Sequence, residues 1–374
     1  YRRLRFSQSE TGSIDTAAMH EFQKGKYHVY AYNDAIACLV ELDEEPPRGP
    51  NPRALDTALQ IGMMLDMKFY DKIQFMRKLI IDGSITSGFQ RTATLGTGGV
   101  LPTEQGEVSI DSINLEEDAS RAIERSDAYS LFSLDRQGIP LVEITTGPHM
   151  YTPQAVHAVA TELGSILRSF SSTKRGLGTI RQDLNVSISG GARVEIKGAQ
   201  NLKLIPQIID NEIRRQLIHR SIISTYAARG GVPSRLSEQQ PVDVTSLFNQ
   251  TQSQMVHKQV SKGAGVFAIR LPGCAGLLGH ELQEDVRLAT EVASRLKQQL
   301  PAVKGLFHSD ELPGYGMGDE EVSAVREQLG LQEGDGFAMI VQEPETAISA
   351  CRIIVSLLHD LLTEIPTEVR QVDP

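Results

Sequence analysis

Apolar and polar positions alternate with a period of two through much of the first half of the chain, interrupted by stretches with the helical period near 3.6. Residues 1–26 show little periodicity. Residues 27–42 alternate loosely and predict one or two strands, ended by Asp43-Glu44-Glu45-Pro46-Pro47, which cannot continue a ladder. Asn51 and Pro52 open a predicted helix with Ala54, Leu55, Ala58, Leu59 and Leu65 on its apolar face. In residues 72–81, Ile73, Phe75, Arg77, Leu79 and Ile81 share one strand face, and Gln74, Met76, Lys78 and Ile80 the other. The strand predicted over 108–115 changes parity between Ile110 and Ile113, so a bulge is expected just before Leu115-Glu116-Glu117-Asp118-Ala119. Residues 130–134 and 139–144 predict two further strands around the turn-like Asp135-Arg136-Gln137-Gly138, and Thr152-Pro153 opens an amphipathic helix to Phe170.

The next strand sets Arg181, Asp183, Asn185 and Ser187 on one face against Leu184, Val186 and Ile188; its return sets Arg193, Glu195 and Lys197 against Val194 and Ile196. Residues opposed across a hairpin share a face, so odd positions must pair with odd. The loop must therefore be odd in length, most simply three residues with a glycine in the left-handed conformation. The polar face is either solvated or a binding surface; Asp and Asn, poor strand formers, favour the second. A helix over 206–224 follows, then a Gly- and Pro-rich stretch that reads as a linker. Beyond it, strands at 266–271, 303–307 and 337–341 alternate with helices at 285–300, 319–329 and 345–364. The expected fold class is α+β: a mixed or antiparallel-sheet core with flanking helices over 1–228, a boundary over 229–263, and a smaller α/β domain over 264–374.

With 374 residues the chain is long enough for two or three cores. No uninterrupted apolar run approaches the roughly 20 residues of a membrane span. Cys38, Cys274 and Cys351 are scattered, which suggests neither disulfides nor zinc and fits a reducing cytoplasm. Tyr1, Arg2, Arg3 and Arg5 begin the chain with no apolar signal region behind them, and the sequence reads as part of something longer. A net charge of -10 disfavours a sequence-independent nucleic-acid coat, leaving only local basic faces such as Lys174-Arg175 and Arg214, Arg215, His219 and Arg220. There is no P-loop motif.

The candidate chemistry is acidic and phosphate-directed. Ser87-Gly88-Phe89-Gln90-Arg91-Thr92 is either a polar loop or a cradle for phosphate or carboxylate. Glu143, expected among apolar neighbours, needs a partner: an arginine, or a metal shared with Glu116 or Glu117. His308, Asp310 and Glu311 are expected to serve a turn.

Several segments together resemble the B/E (GatB/GatE) family of tRNA-dependent amidotransferases. They are Cys-Leu-Val-Glu-Leu-Asp-Glu-Glu-Pro-Pro (38–47), Met-Arg-Lys-Leu-Ile-Ile-Asp-Gly-Ser (76–84), Thr-Ser-Gly-Phe-Gln-Arg-Thr (86–92), Leu-Glu-Glu-Asp-Ala (115–119), Gly-Ile-Pro-Leu-Val-Glu-Ile (138–144), the run 174–188 and Arg-Val-Glu-Ile-Lys (193–197). They are collinear with the family over essentially the whole chain. Residues 263–354, with Gly-Leu-Phe-His-Ser-Asp-Glu-Leu-Pro (305–313), resemble the insertion domain shared with bacterial-type aspartyl-tRNA synthetase.

The resemblance implies a ligase. ATP would phosphorylate the γ-carboxylate of glutamate misacylated on tRNA(Gln), and ammonia from a separate asparaginase-like partner protein, the D-type component, would displace the phosphate, in a hetero-oligomer with two copies of each component. It implies Mg2+ on Glu116 and Glu143, with Glu117 as a further ligand or, like Asp118, just behind. Arg77, Lys78, Ser87, Gln90, Arg91, Arg181 and Lys197 would take the phosphates and the glutamyl group. Asp183, Asn185 and Glu195 would orient them, and Arg181, Asp183 and Asn185 would act with the two glutamates in catalysis. The acidic segments and the hairpin are expected to line one pocket. Three features depart from the family: no Gly-Leu-Glu-Ile-His segment supplies a further metal ligand, His149 stands where aspartate is common, and the tRNA-gripping domains have no counterpart after Pro374. A truncated or partly ordered chain is expected to account for all but His149. The competing expectation is a non-catalytic tRNA-binding scaffold whose carboxylates form structural ion pairs.

Overall fold

The period-two segments of the first 180 residues become two sheets in a computed structural model, which describes residues 2–3, 16–23, 25–126 and 128–372. Much of the aperiodic start, including 4–15, lies outside the described residues. In the larger sheet, Lys68–Phe69 and Phe75–Leu79 both pair with the long strand Phe89–Thr103, which pairs with Gly106–Glu117, which pairs with Pro140–Thr146, all antiparallel. Helices Pro52–Met64 and Pro153–Ser169 cover one face, packing Ala58, Ile61, Val159 and Ile166 against Leu95, Ile110, Ile113 and Leu115. Asn51 and Thr152 cap these helices, their side chains accepting from the Arg53 and Ala54 amides and the Ala155 amide.

The expected bulge is present, with the register shifting between Ile110 and Ser112. Other expectations are corrected. Only Tyr27–Ala31 of the 27–42 segment is strand, and turns follow it. The polar segment 87–92 is mostly strand from Phe89 onward, with only its start in a turn. The tetrapeptide 135–138 does lie in the expected turn between two strands, but they belong to different sheets: Tyr129–Ser133 to the smaller, parallel to Tyr27–Ala31 and antiparallel to Arg121–Arg125, and Pro140–Thr146 to the larger. Alternation specifies a strand, not its partner.

The second compact unit begins at Arg181. Its central sheet has the order Val242–Asp243, Gly265–Leu271, Gly336–Gln342, Phe307–His308, all antiparallel. Both faces are buried. Phe267, Ile269, Ala338 and Ile340 pack with residues of helices Ile205–Ala228, Leu288–Gln299 and Pro344–Thr363, while Val266, Ala268, Phe337 and Met339 pack with Val256, Val322 and Val325. Helix Pro344–Thr363 has 20 residues and a mean hydropathy of 1.4, and among the described residues it alone is long and apolar enough to cross a membrane. Ala347, Cys351, Ile354 and Leu358 bury one side of it in this core. Glu345, Arg352 and Asp360 interrupt its apolar run.

The fold is thus α+β, as expected, and its two compact units meet along the chain at Ile180/Arg181. The hairpin is tied to the C-terminal part, because Glu368–Gln371 adds to Val194–Lys197 as a third, parallel strand. Ile222 and Tyr226 of the following helix enter the C-terminal core. The stretch expected as a linker is itself folded: Val242–Asp243 joins the sheet and Val256 of helix Gln254–Val260 is buried.

Candidate metal and phosphate site

Register brings the first group of candidates together. Lys78 opposes Gln90, Thr92 opposes Glu116, and Asn114 opposes Glu143. Opposed residues share a face, as do residues two apart in a strand. Lys78, Gln90, Thr92, Glu116, Asn114 and Glu143 therefore share the sheet face away from the two helices, because Leu115, Val142 and Ile144 take the helix side.

The two glutamates differ in burial. Glu116 is 7% exposed, a position that a carboxylate holds only with donors around it. Its Oε1 accepts from the Thr92 hydroxyl at 2.9 Å, Gln90 Nε2 lies 3.4 Å from Oε2, and the Lys78 ammonium lies 3.7 Å from Oε1. Glu143 is exposed rather than set among apolar side chains, and its Oε2 accepts from Asn114 Nδ2 at 2.9 Å. The correction follows from the sheet: Glu143 and Leu141 stand on the face that carries no helix.

Glu117 turns to the other face. Its carboxylate pairs with Arg91 at 2.8 Å; burial, which outweighs that arginine, raises its pKa. Glu117 is thus separated by the sheet from Glu116 and Glu143. Arg77 and Arg91 share its face, their guanidiniums lying over the Phe89 and Phe75 rings at 5.0 and 4.9 Å. Asp118 pairs with Arg136 at 3.2 Å and accepts from the Ala119 amide, closing the turn after the strand. Ser87 donates to the Phe89 carbonyl at 3.2 Å. Sequence reasoning gave no role to Asn114 or His149 and singled out Thr92 only within a polar segment. His149 Nδ1 lies 3.0 Å from the Ser109 hydroxyl. Asn114 carried a readable signal, an amide in a strand where such residues are disfavoured.

In the second unit the hairpin has the expected odd register, Asn185 opposing Glu195. Its strands, Leu184–Val186 and Val194–Lys197, are shorter than expected, so the loop spans 187–193, with Gly190 left-handed at φ 68°. Arg181 and Asp183 precede the first strand and Arg193 lies in the loop. Lys197 Nζ lies 2.9 Å from Glu195 and 3.2 Å from Asp183, and these carboxylates, Glu195 foremost, raise the ammonium pKa. The basic helix face is not basic throughout: Arg215 and His219 are buried, and Arg215 pairs with Glu212 at 2.8 Å. Asp310 accepts from the Gly276 and Gly279 amides, a loop-bracing role in keeping with the expected turn.

Among the described residues no group of three or more His, Cys, Asp or Glu is placed to hold a metal. Mg2+ does not require one, since it keeps several waters and often binds through one or two carboxylates. Beside the two glutamates, the side-chain carbonyl oxygen of Asn114 is buried and accepts no hydrogen bond among the described residues. Two carboxylates and an unpartnered amide oxygen are an all-oxygen donor set that fits Mg2+ chemistry.

Residues 8–264 match the family described as the GatB/GatE catalytic domain, and residues 256–351 match the GAD domain. The E-type component of glutamyl-tRNA(Gln) amidotransferase from Pyrococcus abyssi is 48% identical over 373 residues, covering 100% of this chain and 58% of that protein. Its counterpart in Thermococcus gammatolerans is 47% identical, covering 100% and 59%, and that in Methanopyrus kandleri 42%, covering 99% and 58%. The chain therefore spans less than two thirds of the length of these relatives.

Proposed function

The chain belongs to the GatB/GatE catalytic-domain family, and from that premise we propose that it is part of a tRNA-dependent amidotransferase that converts glutamate on misacylated Glu-tRNA(Gln) to glutamine. The γ-phosphoryl group of ATP passes to an oxygen of the glutamyl γ-carboxylate and ADP leaves. Ammonia then adds to the acyl carbon, inorganic phosphate departs with that oxygen, and the nitrogen loses a proton to solvent. An asparaginase-like partner protein supplies the ammonia within a cytoplasmic hetero-oligomer containing two copies of each component.

Such chemistry requires positioning and charge neutralisation more than a protein nucleophile. Glu116 and Glu143 would hold Mg2+, which when bound neutralises phosphate charge. Lys78 and Gln90, on the same face, would meet the transferred phosphoryl group. Arg181, Asp183, Asn185, Glu195 and Lys197 are assigned to the glutamyl end of the substrate. Arg77, Arg91 and Ser87 are left with weaker claims, because the first two stack on phenylalanines of the other face and the third braces a turn.

The observation that supports this reading is the shared face of Glu116 and Glu143. Its test is single-turnover phosphorylation of Glu-tRNA(Gln) with labelled ATP and the full-length protein in complex with its asparaginase-like partner. Glu143→Gln, at an exposed position, is expected to fold normally and to lose activity by at least about tenfold; wild-type turnover would remove Glu143 from the mechanism. A scaffolding reading draws support from Glu116, whose charge Thr92, Gln90 and Lys78 already satisfy. It requires that Mg2+ leave the melting temperature unchanged and that no ATP be consumed with the asparaginase-like partner present.

A further inference from the structure

On the metal reading of this sheet face, we propose that the side-chain carbonyl oxygen of Asn114 is a further protein ligand of the divalent cation, beside Glu116 and Glu143. Asn114 sits between them: it opposes Glu143 across the strand pair and lies two residues before Glu116 on the same strand face. Its amide is oriented by its neighbour. Nδ2 donates to Glu143 Oε2 at 2.9 Å, and the reverse orientation would set a carbonyl oxygen against a carboxylate. The oxygen is thereby free of the hydrogen bond to Glu143, and it is buried without a donor among the described residues.

Buried polar atoms in folded proteins almost always find a partner, so an orphan calls for a group that completes it. The nearby donors on this face are engaged elsewhere: the Thr92 hydroxyl and the Lys78 ammonium with Glu116, and the Gln90 amide with the Glu117 carbonyl at 2.7 Å and, at 3.4 Å, with Glu116. A hard cation is a partner that a bare amide oxygen can share with carboxylates, and Asn carbonyls are ordinary ligands of such ions. The side chain would then act twice, its nitrogen fixing one glutamate and its oxygen meeting the ion.

The two roles are separable by measuring Mn2+ binding, as a spectroscopic stand-in for Mg2+, to the full-length protein by electron paramagnetic resonance and titration calorimetry. Asn114→Leu, which removes both functions, is expected to weaken Mn2+ binding at least about tenfold. Asn114→Asp keeps an oxygen while losing the donor to Glu143, and is expected to bind Mn2+ at least as tightly as the wild type. Wild-type affinity in Asn114→Leu, or equal loss in both variants, overturns the proposal. The second result would leave Asn114 only as the holder of Glu143. Glu116→Gln separates this inference from the reading beneath it. If Glu116→Gln loses Mn2+ while Asn114→Leu keeps it, the metal site stands without Asn114; if neither variant affects binding, both fail. Should Asn114→Leu not fold, as judged by circular dichroism, the near-isosteric Asn114→Asp decides alone, and weakened binding there overturns the ligand role.

Discussion

Glu116 and Glu143 occupy one sheet face, yet one is buried among three donors and the other stands exposed with a single donor. Side-chain parity made the face legible, since each strand sends alternate residues the same way. It could not say what covers that face, so the sequence reading buried Glu143, the glutamate that proves exposed. The Thr92 hydroxyl is the shortest contact holding Glu116, at 2.9 Å, and Thr92 is itself 8% exposed. Thr92→Val keeps the shape and removes the donor, and is expected to cost about 1.5 kcal/mol, because a buried carboxylate oxygen is left with a longer, weaker set of partners. The check is the urea midpoint at unchanged slope. A shift indistinguishable from zero would mean that Lys78 and Gln90 suffice.

At the scale of elements, the hairpin's odd register was readable because the strand period is two, and a slip of one residue would exchange its polar and apolar faces. Its third strand was not. Glu368–Gln371 is far along the chain, and a parallel partner leaves no mark on the local pattern of either segment. Charge holds that strand in place. The Glu368 carboxylate accepts from Arg295 and from Arg370 at 2.8 Å, and lies 3.7 Å from the buried Arg215. Glu291 completes the network: burial pushes its carboxyl up, but Arg370 and Arg295 outweigh it and hold the pKa below the usual value. Removing one member of such a network leaves the others facing like charges in a partly dry site. Glu368→Ala is expected to cost about 3 kcal/mol and to speed amide exchange in 184–186 and 194–197 before the central sheet loosens. Unchanged hairpin protection would show that backbone pairing alone retains the strand.

For the whole molecule, composition revealed a net charge of -10 but not which histidines are buried, since burial is a property of packing that no single segment encodes. His28 in the first unit and His219 and His308 in the second are all buried, and burial lowers the pKa of each. The unfolded chain then binds protons near its ordinary value of about 6.5, where the folded chain does not. Their contribution to stability is full above about pH 6.5 and is lost as pH falls through the lower folded-state values. Asp135 and Glu291, whose pKa values are also depressed, lose theirs in a separate and more acidic window, below about pH 4. Acidification also brings the net charge toward zero, which opposes the histidine effect, so a raw melting curve mixes two trends. A variant isolates one of them. His219 is 1% exposed; its Nε2 lies 2.7 Å from the Leu361 carbonyl and its Nδ1 has no partner among the described residues, so protonation would bury a charged donor with none of them to receive it. Arg215 nearby resists that charge, while Glu291 and Glu368 favour it, and burial outweighs them. His219→Gln can keep a donor to Leu361 without titrating. Its melting temperature is expected to fall less than that of the wild type between about pH 7 and 5, and parallel curves would show that His219 titrates alike in the folded and unfolded chain.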